Sequence, residues 1–120
     1  MNQELLSAVL PPSLLESFDI VSFKKMTNKS TGLIEFEIYL DEKNDVDNSE
    51  KEKYRSQGFL PPSRIQDFPI RGKAVYLLIR RRRWRHIQSG NDYTNDHSIV
   101  AEGSRLTQDL SDFLKATGRN

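Results

Sequence analysis

Residues 80–85 read Arg-Arg-Arg-Arg-Trp-Arg and follow directly on the apolar run of residues 74–79. Guanidinium groups stay protonated at physiological pH, so they make poor acids and bases. Their chemistry is anion recognition, because a planar fork of N–H donors matches phosphate or carboxylate oxygens with two parallel hydrogen bonds. Trp84 adds a flat ring able to stack on a base, a sugar or a guanidinium. As an extended strand the run spans roughly 20 Å, at about 3.3 Å per residue. Alternation puts Arg80, Arg82 and Trp84 on one face with Ala74, Tyr76 and Leu78. Arg81, Arg83 and Arg85 share the other with Val75, Leu77 and Ile79. Same-face arginines sit about 7 Å apart and repel, and a polyanion relieves that repulsion. The expected binding residues are Arg80, Arg81, Arg82, Arg83, Trp84 and Arg85, with Arg64, Arg71, Lys73 and Arg105 extending the patch. If about five phosphates are neutralised, the logarithm of affinity should fall with that of salt at a slope near −4 to −5.

Three plainer roles compete for these residues. They could form a solvated face, or meet an acidic surface within the chain or on a partner protein. Trp84 could also be a core residue with arginine stems packed around it. The net charge of +1 hides an asymmetry: residues 1–50 hold four Lys/Arg against ten Asp/Glu, and residues 51–120 hold fourteen against seven. That split describes a polarised molecule with one basic face. The stretch 42–57 is the nearest acidic candidate, although Lys43, Lys51, Lys53 and Arg55 blunt its charge.

Little else carries chemistry. There is no cysteine, which excludes disulfides and thiolate zinc sites. His86 and His97 read as surface or loop residues, and Asp67, Asp92, Asp96 and Glu102 as turn and cap residues. No phosphate-cradling glycine loop or nucleophile motif is present. The expectation is a non-enzymatic chain without metal, cofactor or small-molecule substrate. No apolar run approaches the roughly 20 residues of a membrane span, and the N-terminus lacks the basic region of a signal peptide. A cytoplasmic location follows as the expectation.

The elements that must position the arginines can be placed by periodicity. Residues 2–9 predict a short helix ended by Pro11 and Pro12, with Ser13 capping one further turn. Residues 19–26 and 32–42 predict a hairpin, with Ile34, Phe36, Ile38 and Leu40 on its apolar side. Residues 42–57 predict a mobile polar loop. Residues 63–72 and a long strand over 73–87 predict a second hairpin, turning at Arg71 and Gly72. Residues 88–96 predict a loop and 97–103 a short strand. Leu106, Leu110, Phe113 and Leu114 predict a helix over 105–116. The whole is one α+β domain over residues 1–120: a small antiparallel sheet of two β-hairpins with an N-terminal and a C-terminal helix.

Residues 58–85, followed by 100–115, resemble the N-terminal region of bacterial insertion-sequence transposases. The closest kind is the ISAon type, in which this region is a separate short protein. The residues that carry the resemblance are Asp67, Phe68, Pro69, Ile70, Gly72, Lys73, Val75, Leu77, Ile79, Arg82, Arg83 and Trp84, then Arg105 and Thr107. Larger relatives flank this segment with the cysteine pairs of a zinc ribbon. The cysteine-free chain implies a metal-free version. The catalytic Asp/Asp/Glu domain of the family is missing, so strand transfer would fall to another polypeptide. The resemblance implies binding of transposon-end DNA in support of transposition, alongside a catalytic transposase subunit. The alternative is a protein-interaction module whose basic ribbon docks on an acidic surface of that subunit.

Overall fold

Prolines shape the start of the chain. In the computed structural model, which describes residues 3–44, 52–95, 97, 99 and 106–117, helix α1 (Gln3–Val9) ends just before Pro11. Helix α2 (Pro12–Ser17) then opens on Pro12, where a missing N–H costs nothing. Pro11 holds the N-cap position and Ser13 lies inside the helix, so the expected serine cap is not made. The strands follow as β1 (Phe18–Thr27), β2 (Ile34–Glu42), β3 (Tyr54–Phe59), β4 (Ser63–Ile70), β5 (Lys73–Arg80), β6 (Arg82–His86) and β7 (Asp92–Tyr93). Helix α3 (Gln108–Ala116) closes the described chain, with Thr107 Oγ1 accepting from the Leu110 N–H at 3.2 Å as its cap.

The fold is α+β, with helices at both ends and sheets rich in antiparallel pairing. Both expected hairpins form, β1 with β2 and β4 with β5. They join through a parallel pairing of β2 with β5, giving the order β1-β2-β5-β4. A second sheet, β3-β6-β7, continues from the first. The expected long strand over 73–87 is interrupted at Arg81, and its two halves serve different sheets. Opposite the interruption, Leu60, Pro61 and Pro62 separate β3 from β4, and the Leu60 N–H donates to the Arg81 carbonyl at 2.8 Å. Two prolines cannot supply ladder donors, so the ribbon bends there and passes from one sheet into the other.

Two polar stretches expected as loops contribute strands. Residues 54–57 of the 42–57 stretch begin β3, and Glu42 ends β2, while 45–51 lie outside the described residues. Asp92 and Tyr93, within 88–96, form β7. Polar residues suit these places because one face of the second sheet stays in water. The strand expected over 97–103 lies largely outside the described residues.

The core lies between the first sheet and the N-terminal helices. Ile38 and Leu40 of β2, Ile65 of β4, and Val75, Leu77 and Ile79 of β5 meet Leu6, Leu10, Leu14 and Phe18. The opposite face carries polar and aromatic side chains. There Tyr39 donates to Glu37 at 2.8 Å, and Arg64 lies 3.4 Å from both Glu35 and Glu37 and over the Tyr76 ring. No helix among the described residues is long and apolar enough to cross a membrane.

The turn between β4 and β5 places Arg71 at φ 51° and Gly72 at φ 76°. Two positive φ values suit Asn-Gly, and an arginine in the first position is strained by roughly 1 kcal/mol. Arg71→Asn should therefore raise stability by roughly 0.5–1 kcal/mol, measured by urea denaturation.

Candidate nucleic-acid interface

The five arginines of the run fall into distinct environments. Arg80 pairs in register with Asp41 of β2 and grips its carboxylate with two bonds, Nε to Oδ1 at 2.7 Å and Nη2 to Oδ2 at 2.6 Å. That hydrogen bonding holds the guanidinium above its ordinary range. Arg82 is tied to the buried Glu42: its backbone N–H donates to Glu42 Oε1 at 2.7 Å, and its Nε to the Glu42 carbonyl at 2.8 Å. Its Nη1 donates to Ser56 Oγ at 2.8 Å. Both guanidiniums also lie over the Phe59 ring, at 4.1 Å and 4.5 Å. Arg81 is half-buried at the interruption. Arg80 and Arg82 thus knit the two sheets together: Arg82 is half-buried, and Arg80, with its side chain 44% exposed, spends its fork on Asp41.

Arg83 and Arg85 stand on the solvent face of β6, with side chains 47% and 45% exposed. Arg85 is in register with Arg55 on β3 and with Asp92 on β7, so a row Arg55–Arg85–Asp92 crosses the second sheet. Asp92 Oδ1 accepts from Arg85 Nε at 3.0 Å, and Oδ2 lies 3.7 Å from Arg83 Nε. Arg83 Nη2 also reaches the Gln57 carbonyl at 3.4 Å. Arg55 is exposed and makes no ion pair among the described residues. Three guanidiniums therefore share this face, and Asp92 reaches two of them. The Arg85 hydrogen bond, with the Arg85 and Arg83 charges behind it, holds the Asp92 carboxyl below its ordinary range.

Trp84 does not offer an exposed stacking face. It is 4% exposed, on the inward side of β6 between Ser56 and Tyr93 in register. It is buried, as the reading of Trp84 as a core residue expects. Among the described residues, its buried indole N–H has no hydrogen-bond partner. Beside it, the Tyr54 ring meets His86 at 5.1 Å and Tyr93 at 6.0 Å, edge to face.

The remaining expected residues are not gathered here. Arg71 and Lys73 sit at the far end of β5, twelve and ten positions before Arg83, which lies beyond the interruption in the other sheet. Arg64 is committed to Glu35 and Glu37. Arg105 lies outside the described residues. Sequence reasoning missed Arg55 and Asp92. The signal for Arg55 was its alternation with Tyr54 and Ser56, hidden in a stretch read as loop. Asp67 accepts from Thr107 Oγ1 at 2.9 Å, and His97 lies 2.9 Å from Glu42 Oε2. Among the described residues, no group of three His, Cys, Asp or Glu could hold a metal ion.

Two measurements separate these roles. Arg82→Ala should destabilise the fold by roughly 1–3 kcal/mol, since it strips donors from half-buried acceptors. Arg83→Ala should stay within about 0.5 kcal/mol of the parent in the same urea titration. The Asp92 pairing stabilises the fold above the ordinary aspartate pKa and is lost as pH falls through the lowered value. The Asp92 carboxyl carbon, followed by NMR, should accordingly titrate below about 3.9. No family model, curated protein sequence or solved structure matches this chain, so the interface rests on its own geometry.

Proposed function

We propose that this chain binds DNA through the exposed arginine row of its second sheet, as the accessory N-terminal protein of an insertion-sequence transposase. The observation that carries the reading is the outward set of Arg55, Arg83 and Arg85, against which Asp92 is the opposing carboxylate. Like charges directly opposite on neighbouring strands destabilise a sheet unless an anion sits between them. A phosphodiester backbone supplies such anions at regular spacing, and arginine forks suit its oxygens. The likeness of residues 58–115 to transposase N-terminal regions supports the transposon-end assignment. In this role the chain acts in the cytoplasm without a cofactor, and a separate catalytic subunit performs strand transfer.

The second reading keeps the same row and changes its target to an acidic surface of the catalytic subunit. Its support is that Asp92, a protein carboxylate, already satisfies two of the arginines. Salt dependence distinguishes the two. With Arg80 and Arg82 committed internally, about three phosphates remain to be neutralised. The slope against a random duplex should then be near −3 rather than the −4 to −5 expected of the whole run. Fluorescence anisotropy across a salt series measures it. Replacing Arg83 and Arg85 together by Ala should weaken binding uniformly across sequences and flatten the slope by about 2. Absence of binding at low salt would overturn the DNA reading in favour of the protein surface.

A further inference from the structure

Asp92 and Tyr93 together present what a nucleotide presents. The carboxylate of Asp92 bridges two arginines on the outer side of β6, one oxygen to each. Tyr93, on the other side of the strand, is in register with Trp84, half exposed, and its ring meets that of Tyr54 at 6.0 Å. An anion and an aromatic ring, joined by a short backbone, straddle the edge of β6. We propose that this dipeptide is an internal stand-in for single-stranded nucleic acid. A phosphodiester takes the place of the Asp92 carboxylate between Arg83 and Arg85, β7 lifts from the edge of β6, and a base stacks on the uncovered Trp84. The proposal rests on the DNA-binding reading and names the form of nucleic acid it takes.

Three further observations carry it. First, β7 is two residues long and, among the described residues, lies at the sheet edge and pairs only with β6. So short a strand is held by few bonds and opens more readily than the elements around the core. Second, the buried indole N–H of Trp84 has no partner among the described residues. A buried donor left unpaired is costly, and contact with a polar base or with water relieves it. Third, Arg55 stands directly across from Arg85, and among the described residues Asp92 pairs with Arg83 and Arg85 and not with Arg55. A chain of successive phosphates can serve both, whereas one carboxylate cannot. A duplex meets the outer arginines equally well but keeps its bases stacked. Only an unpaired strand lies along the vacated edge with phosphate outward and base inward.

Trp84 is the single tryptophan of the chain, so its emission reports this site directly. Titration with oligothymidylate at low salt should quench that emission and saturate, while a random duplex of equal length binds with emission unchanged. Asp92→Asn, which removes the competing charge at constant shape, should tighten oligothymidylate binding about three- to tenfold. Tyr93→Ala should tighten it as well and shift the free-state emission to the red. Oligothymidylate binding that leaves Trp84 emission unchanged, or an Asp92→Asn variant no tighter than the parent, would overturn the stand-in while leaving the DNA reading intact. Failure of the parent to bind either nucleic acid at low salt would overturn both.

Discussion

The pairing of Glu42 with Arg82 holds the two halves of this molecule in their relation. Glu42 is the last residue of β2 and is 3% exposed. One carboxylate oxygen takes the first N–H of β6, the other takes His97, and the Glu42 carbonyl takes the Arg82 side chain. A buried carboxylate needs several donors to offset its lost hydration, and it finds them only if β6 begins where it does. The end of the first sheet and the start of the second are thereby fixed to one point.

From that point the exposure of the cationic run follows. Before Arg81 the buried side of the strand is Val75, Leu77 and Ile79, and after it the buried residue is Trp84. The alternation itself continues; the side that faces inward changes as the ribbon bends at Leu60–Pro62. Arg80 and Arg82 fall near the bend, where Asp41, Glu42 and the Phe59 ring absorb them. Arg83 and Arg85 fall beyond it and are left in water. The arginines of the run thus divide between Arg80 and Arg82, bonded across the junction, and Arg83 and Arg85 beyond it.

The division also accounts for the charge asymmetry of the chain. Part of the excess of acid in residues 1–50 is used up by the excess of base after residue 50: Asp41 with Arg80, Glu42 with Arg82, and Glu35 and Glu37 with Arg64. The outer face of the second sheet keeps Arg55, Arg83 and Arg85 together with Asp92 of β7. A solvated face opposite an apolar core is the ordinary condition of an antiparallel sheet. Its arginine content is what makes this one a candidate for anions.

The sequence alone determined the elements with strong periodicity. Alternation over residues 34–40 and 74–79, the Arg71–Gly72 turn and the helical spacing of Leu110, Phe113 and Leu114 each report local geometry, so both hairpins and the C-terminal helix were legible; Leu106, read as part of that helix, instead lies before its cap and bridges to Gln66. So was the sharing of one face by Arg82 and Trp84. The tertiary structure alone decided which face turns inward after Arg81, because that depends on a bend set by prolines on the opposing strand. It decided the partners of each arginine, because Asp41 and Glu42 lie some forty residues earlier and meet the run only through the parallel β2–β5 pairing. It also recruited Arg55 and Asp92, whose strands are too short or too polar to show a period of their own. Periodicity records how a segment lies against its nearest layer, while ion pairing between distant segments is recorded only by the fold that brings them together.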